Sequence, residues 1–240
     1  SFGVKCVNTP TGFKWMAEKL GKYEDQALIE LKEKEGLALD FDATDLFVRI
    51  DILTRYSTYV ILGAEESYGY LPLDIVRDKD GNASALAIAE LFGFLKSSKT
   101  EPLQFLDNLY KKYGYHEEKT ENLYFEGAEG NEIIKKLAAS YRTKKLSSIA
   151  GQKIVKSKDF LEKGYIDEDE EELPQENFLM LELENGFTIA IRPSGTEPKI
   201  KYYLFGCGEK NALDLEKSKD EVSSKIKEIS EWLVSDANER

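Results

Sequence analysis

Phe178-Leu179-Met180-Leu181-Glu182-Leu183-Glu184-Asn185-Gly186-Phe187-Thr188-Ile189-Ala190-Ile191 is the stretch on which the fold turns. Two runs of strand-forming residues, Phe178 to Leu183 and Phe187 to Ile191, flank Asn185-Gly186. That dipeptide suits a type I′ turn, which needs positive φ at both central positions and carries the twist of paired strands. The pattern predicts an antiparallel hairpin. Outward from it, Ile200 to Phe205 reads as another strand and Asn122 to Phe125 as a short one. Two amphipathic helices accompany them, one presenting Ile133, Ile134, Leu137 and Tyr141, the other Val222, Ile226, Ile229 and Leu233. Residues 118–240 are therefore expected to form an α+β domain, an antiparallel sheet with helices on one side.

Residues 1–117 follow a different pattern. Apolar positions recur at helical spacing from Thr11 to Leu20 and from Tyr23 to Glu35, with Gly21 and Gly36 as stops. Thr58 to Leu62, β-branched and apolar without alternation, reads as a strand covered on both faces and closed by Gly63. Asp80-Gly81 marks a turn, and the helix behind it, Ala83 to Leu95, is apolar nearly all round, which predicts burial against a sheet. A further helix opens with Pro102, presents Phe105, Leu106, Leu109 and Tyr113 on one face, and stops at Gly114. Strand alternating with helix predicts an α/β domain here, a mixed sheet with helices on its faces.

The chain of 240 residues is long enough for two such domains. Its 45 acidic and 33 basic residues leave a net charge of −12, which argues against nucleic acid or an anionic membrane as a partner. An anionic ligand then needs locally concentrated positive charge. No window approaches the roughly 18 apolar residues of a spanning helix and no signal-peptide pattern opens the chain, so a cytoplasmic protein is expected. Cys6 and Cys207, far apart in the chain, are expected to be reduced. The acid run Asp167 to Glu172 reads as a solvated, mobile loop, since like charges at that density repel one another. His116, the sole histidine, reads as a surface residue.

One loop between two predicted strands stands apart: Arg192-Pro193-Ser194-Gly195-Thr196-Glu197-Pro198-Lys199. Arg192 can make a bidentate, charge-assisted contact to a phosphate, while Ser194 and Thr196 supply hydroxyl donors. Gly195 can take the positive φ that lets successive N–H groups converge on an anion, and the prolines stiffen both shoulders. Taken singly these residues make turns. Together they read as a phosphate grip. A second, weaker segment, Glu65-Glu66-Ser67, follows the predicted strand Thr58 to Leu62, where its carboxylate and hydroxyl could meet vicinal sugar hydroxyls; by itself it reads as an acidic turn.

The octapeptide 192–199 resembles, without a gap, the phosphate-binding loop in the C-terminal domain of the α-D-phosphohexomutase superfamily, which includes phosphoglucomutases and phosphomannomutases. Ala64-Glu65-Glu66-Ser67 is similar to the G-E-E-S sugar loop of that superfamily, with Ala64 in place of glycine. Carried over, Glu65 and Ser67 would grip hydroxyls of the hexose, and Arg192, Ser194, Gly195, Thr196 and Lys199 the phosphate that is not reacting. Thr11-Gly12-Phe13-Lys14 and Val76-Arg77-Asp78-Lys79-Asp80-Gly81 resemble basic segments near the active site, which makes Lys14 and Arg77 candidate substrate contacts. The resemblance implies an incomplete third domain over 1–117 and, over 118–240, a fourth domain like the TATA-binding-protein fold.

It also implies an isomerase that moves phosphate between the 1- and 6-positions of a sugar through a glucose 1,6-bisphosphate-type intermediate, with Mg²⁺ as cofactor and sugar phosphates as ligands. The family's phosphoserine segment, T-A-S-H-N-P, and its metal loop, D-G-D-x-D-R, do not occur in this sequence. Asp40-Phe41-Asp42 and Asp78-Lys79-Asp80 have the wrong spacing to replace the metal loop and read as turns. The expectation is a C-terminal fragment, inactive alone, whose partners would be the N-terminal domains of the same protein. Tyr68-Gly69-Tyr70, where many members have Gly-His, leaves phosphomannomutase or phosphopentomutase activity as alternatives, beside a non-catalytic phosphosugar-binding module.

Overall fold

A computed structural model describes residues 3–65, 69–72, 76–127, 129–144, 146–195 and 197–240. It divides into two compact units, one of residues 1–99 with 166–171, the other of 100–165 with 172–240. The sequence placed this boundary near 118. The helix α4 (Pro102–Tyr113) groups with the second unit because its residues meet that unit: Tyr110 packs edge-on against Tyr115 at 4.9 Å and Asp107 pairs with Lys219 at 3.0 Å.

The first unit starts with α1 (Phe13–Glu35), a single helix where two were expected. Gly21 does not stop it. The apolar stripe runs on through Leu20, Tyr23, Ala27 and Leu31, all buried, and that burial outweighs the roughly 1 kcal/mol a helical glycine costs. Gly36 does end it, in the left-handed conformation. A second helix, α2 (Leu46–Tyr56), was not anticipated; Asp45 caps it by accepting the Phe47 N–H at 2.9 Å. Tyr23, Ala27 and Leu31 close on Phe41, Ile52 and Leu53 to make a small core.

The strand expected at Thr58 to Leu62 lies later and is shorter. Residues 58–62 are not paired, and β1 (Gly63–Glu65) pairs antiparallel with β2 (Gly69–Leu71). This hairpin sits on the start of α1, where Phe13, Leu20 and Leu71 form a second small core. A Cβ on Gly69 would come within 2.5 Å of the Phe13 ring, so the approach requires glycine there. The helix α3 (Gly81–Ser97), capped by Asp80, was expected to be buried and is not. Only Leu95 is buried, while Leu86, Ile88, Phe92 and Phe94 are exposed. Strands of three residues are too short to cover a helix of 17.

The acid run also departs from expectation. Asp167 is buried, and the segment 166–171 is held against α1 by ion pairs. Lys19 Nζ lies 2.7 Å from Asp167, 2.9 Å from Asp169 and 3.1 Å from Glu171. Lys5 reaches Asp169 at 2.6 Å, Lys22 reaches Glu171 at 2.9 Å, and the Tyr23 hydroxyl donates to Asp169. Burial pushes the Asp167 and Asp169 carboxyls up. At Asp167 the Lys19 ammonium and the N–H groups of Glu171 and Asp169 outweigh it, and at Asp169 Lys5, the Tyr23 hydroxyl and Lys19 do, so both carboxyls stay below their ordinary value.

The second unit is the α+β domain expected. Its sheet runs β3 (His116–Tyr124), β8 (Lys199–Cys207), β7 (Thr188–Pro193), β6 (Leu179–Leu183), β5 (Gln152–Asp159), β4 (Ser148–Ile149), each pair antiparallel. Leu179, Leu181, Leu183, Ile189, Ile191, Ile200, Tyr202 and Leu204 alternate onto one face. There they bury against Ile134, Leu137 and Tyr141 of α5 (Gly130–Thr143) and Val222, Ile226, Ile229 and Leu233 of α6 (Leu215–Glu239). Both helices therefore lie on the same side. Tyr141 and Tyr202 share a hydrogen bond of 3.0 Å inside this core, and burial raises the Tyr202 hydroxyl to about 12.

The turn between β6 and β7 is not type I′. Of Asn185 and Gly186 only Gly186 has a positive φ, 83°. The Gly186 N–H donates to Leu183 O and the Leu183 N–H to Phe187 O, which makes a type I turn with a glycine bulge. A two-residue turn would pair Leu181 with Ala190. The bulge pairs Leu181 with Ile189 and Leu179 with Ile191, putting apolar residues on one face. The hydrophobic pattern thus overrides the dipeptide, as it must when a slip of one residue would turn a strand over. Both cysteines are free, and among the described residues no helix is long and apolar enough to cross a membrane.

Candidate functional site

The register fixes where Arg192 sits. It is the penultimate residue of β7, opposite Lys201 of β8, on the sheet face turned away from α5 and α6. β7 ends at Pro193 and β8 begins at Lys199. The Ser194 N–H donates to Lys199 O at 2.9 Å and the Lys199 N–H to Glu197 O at 2.7 Å, while Ser194 Oγ accepts the Glu197 N–H at 3.3 Å. The Phe125 N–H bonds to Pro198 O at 2.9 Å, tying the far shoulder to the end of β3. Pro193 and Pro198 occupy places where no ladder N–H is needed.

Side chains in the loop are already engaged. The Arg192 guanidinium meets Glu176 at 3.1 Å through one terminal nitrogen. Lys199 is buried along its stem, bonds to Glu197 at 2.5 Å and lies 5.4 Å from the Tyr124 ring, and the Glu197 carboxylate raises its pKa. Gly195 lies outside the left-handed region, contrary to expectation, and a Cβ there would meet nothing within 4 Å. Its contribution here is open space over the loop. Thr196 lies outside the described residues.

In the first unit Lys14 lies in the first turn of α1. Phe13 packs on Gly69, Lys79 lies 5.9 Å from the Phe13 ring, and the next residue, Lys14, lies 4.7 Å from the Trp15 ring. Glu65 ends β1, and its Oε1 is buried with no hydrogen-bond partner among the described residues. An unsatisfied buried acceptor costs on the order of 1–3 kcal/mol, so this oxygen is suited to receive a hydroxyl. Arg77 is farther along the helix, paired with Glu24 beside Gly21. Ser67 lies outside the described residues. His116 is exposed at the start of β3, 3.7 Å from the Cys207 sulfur.

Neither of two open surface recesses holds these groups. One, of about 420 Å³, is lined by Lys22, Tyr23, Thr58 and residues 168–171; another, of about 1010 Å³, by Phe187, Cys207, Gly208 and Val222. Among the described residues no group of three or more His, Cys, Asp or Glu could hold a metal ion. Sequence reasoning missed Glu176 as a partner of Arg192. The signal was available: in the apolar-on-apolar register Arg192 falls opposite Phe178, which brings the residues just before β6 beside it.

No family model matches the chain. It is 38% identical over 145 residues to a phosphoglucomutase of Staphylococcus haemolyticus, covering 58% of this chain and 26% of that protein. A phosphoglucomutase of Staphylococcus saprophyticus is 29% identical over 190 residues, 73% of this chain and 34% of the relative. Among solved structures, the open form of the exocytosis-sensitive phosphoprotein pp63/parafusin of Paramecium, a phosphoglucomutase, aligns at 18% identity and a TM-score of 0.46, covering 85% of this chain and 35% of that one. The chain spans about a quarter to a third of the length of the curated relatives it matches. By sequence, this chain is similar to part of the bacterial phosphoglucomutases.

Proposed function

We propose that this chain carries the phosphate-holding and sugar-holding parts of a phosphohexomutase that interconverts hexose 1-phosphate and 6-phosphate through a bisphosphate. Arg192, Ser194, Gly195, Thr196 and Lys199 take the phosphate that is not reacting. Glu65 and Ser67 meet hydroxyls of the sugar ring, with Lys14 and Arg77 adding positive charge around it. The bisphosphate must turn around between half-reactions, so the idle-phosphate grip has to accept either end of the sugar and the ring contacts have to serve both poses. Catalysis by such groups is positioning and electrostatics, and needs no perturbed pKa. The phosphoryl donor and the Mg²⁺ site would belong to polypeptide outside these 240 residues.

The observation that carries the reading is an arginine on an open, proline-shouldered loop in a chain of net charge −12, in a relative of the phosphoglucomutases. Titrating the chain with glucose 6-phosphate, and with inorganic phosphate, tests it. Arg192→Ala is expected to weaken both by about tenfold or more, since charge-assisted hydrogen bonds are worth roughly 1.5–3 kcal/mol. Equal affinity in the variant would sink the assignment. Conversion of glucose 1-phosphate by a full-length protein containing this chain tests the activity.

A further inference from the structure

We infer that Glu176 is a positioning residue for the phosphate grip, holding the Arg192 guanidinium by one edge so that its other edge faces the ligand. The inference rests on the phosphate reading above and deepens it.

A guanidinium offers five N–H donors in a planar fork, arranged as two edges that can each bind an oxyanion bidentately. Glu176 Oε1 takes one terminal nitrogen of Arg192 at 3.1 Å, a single contact. One complete edge can therefore still serve a phosphate. The side chain is only partly covered, 30% exposed, and Lys201 stands directly across the ladder. Without an acceptor at its flank, a long cationic side chain facing a like charge would sample many rotamers.

Glu176 is itself firmly held. Its N–H donates to Phe160 O at 2.9 Å, its C=O accepts from the Phe178 N–H at 2.8 Å, and the Phe160 N–H donates to Phe178 O at 2.9 Å. The Phe160 and Phe178 rings pack at 5.6 Å, and Phe160 also meets Tyr165 at 4.8 Å. An acid otherwise disfavours a nearby dianion, so its place beside the phosphate grip calls for a compensating role. Fixing the arginine before the ligand arrives is that role, because the rotamer entropy is then lost on folding and not on binding.

Glu176→Gln and Glu176→Ala separate position from charge. Both remove the negative charge, but only glutamine keeps an oxygen that can accept from Arg192. Inorganic phosphate is titrated into the full chain and each variant, followed by NMR, with the Arg192 Nε–H signal as a second readout and thermal melting as a fold check. The glutamine variant is expected to bind phosphate about three- to tenfold more tightly than the alanine variant and to keep a sharp Nε–H signal that alanine broadens. Equal affinities for the two, or tighter binding by alanine, would overturn the inference. Arg192→Ala in the same titration keeps the two readings apart: if it leaves phosphate affinity intact, or if the unsubstituted chain does not bind phosphate, the grip itself is wrong and this inference falls with it. If Arg192→Ala abolishes binding while glutamine and alanine behave alike, only the role of Glu176 fails.

Discussion

The acid segment 166–171 and the loop 192–199 are both crowded with charge, and they dispose of it differently. In the first, three carboxylates converge on Lys19, whose side chain is 12% exposed, and Asp167 is almost wholly covered. In the second, among the described residues, each cation has one carboxylate partner, Glu176 for Arg192 and Glu197 for Lys199, and a Cβ on Gly195 would meet nothing within 4 Å. One network is closed and serves the fold. The other holds the loop proposed to take a phosphate. Charge density in sequence does not separate the two, because what matters is whether distant side chains complete the set.

The sharpest way to break this contrast is to remove the shared cation of the closed network. Lys19→Met should destabilise the first unit by about 3 kcal/mol, since it leaves Asp167 buried and unpaired. Urea unfolding followed by Trp15 fluorescence in a Trp232→Phe background measures it, and a loss below about 0.5 kcal/mol would put this network with ordinary surface pairs.

Acid should find the same weak point. Asp167, Asp169 and Glu171 have carboxyls held below their ordinary values, so the folded state binds fewer protons than the unfolded one just below those values. Their stabilisation is present above about pH 5 and is lost as pH falls further, by roughly 1–2 kcal/mol down to pH 3. Lys19→Met should flatten that dependence in the same fluorescence assay.

At the open loop the expectation reverses. Arg192→Ala should change unfolding free energy by less than about 0.5 kcal/mol while lowering phosphate affinity about tenfold. A stability loss as large as that of Lys19→Met would make the loop structural. Smallest of all, Gly21→Ala should stabilise α1 by about 0.5–1 kcal/mol, because a Cβ there meets only Arg77, at 3.8 Å. Its thermal midpoint shows whether the helix carrying Lys19 and Tyr23 is limited by backbone entropy or by its ion pairs.

Much of the second unit was legible. Alternation in Leu179 to Leu183 and Ile200 to Leu204, and the stripes Ile134-Leu137-Tyr141 and Val222-Ile226-Ile229-Leu233, are local consequences of strand and helix periods, and all are buried in one core. The first unit was less so. Gly21 looks like a stop from its neighbours, yet the burial of Leu20 and Tyr23 carries the helix through it. The apolar character of α3 says that it could be covered, not that anything covers it. For the proposed site, Arg192, Ser194 and Lys199 are singled out by their own octapeptide, while Glu176 depends on a register that Asn185-Gly186 suggested wrongly by one residue.

By itself, then, the sequence determined the main elements of the second unit, the face its helices cover and the loop proposed to grip a phosphate, because each depends on residues close together in the chain. Only the tertiary structure decided that Arg192 leans on Glu176 and that Lys19 gathers acids nearly 150 positions away. Such pairings follow from which faces meet, and a one-residue shift in strand register is enough to rewrite them.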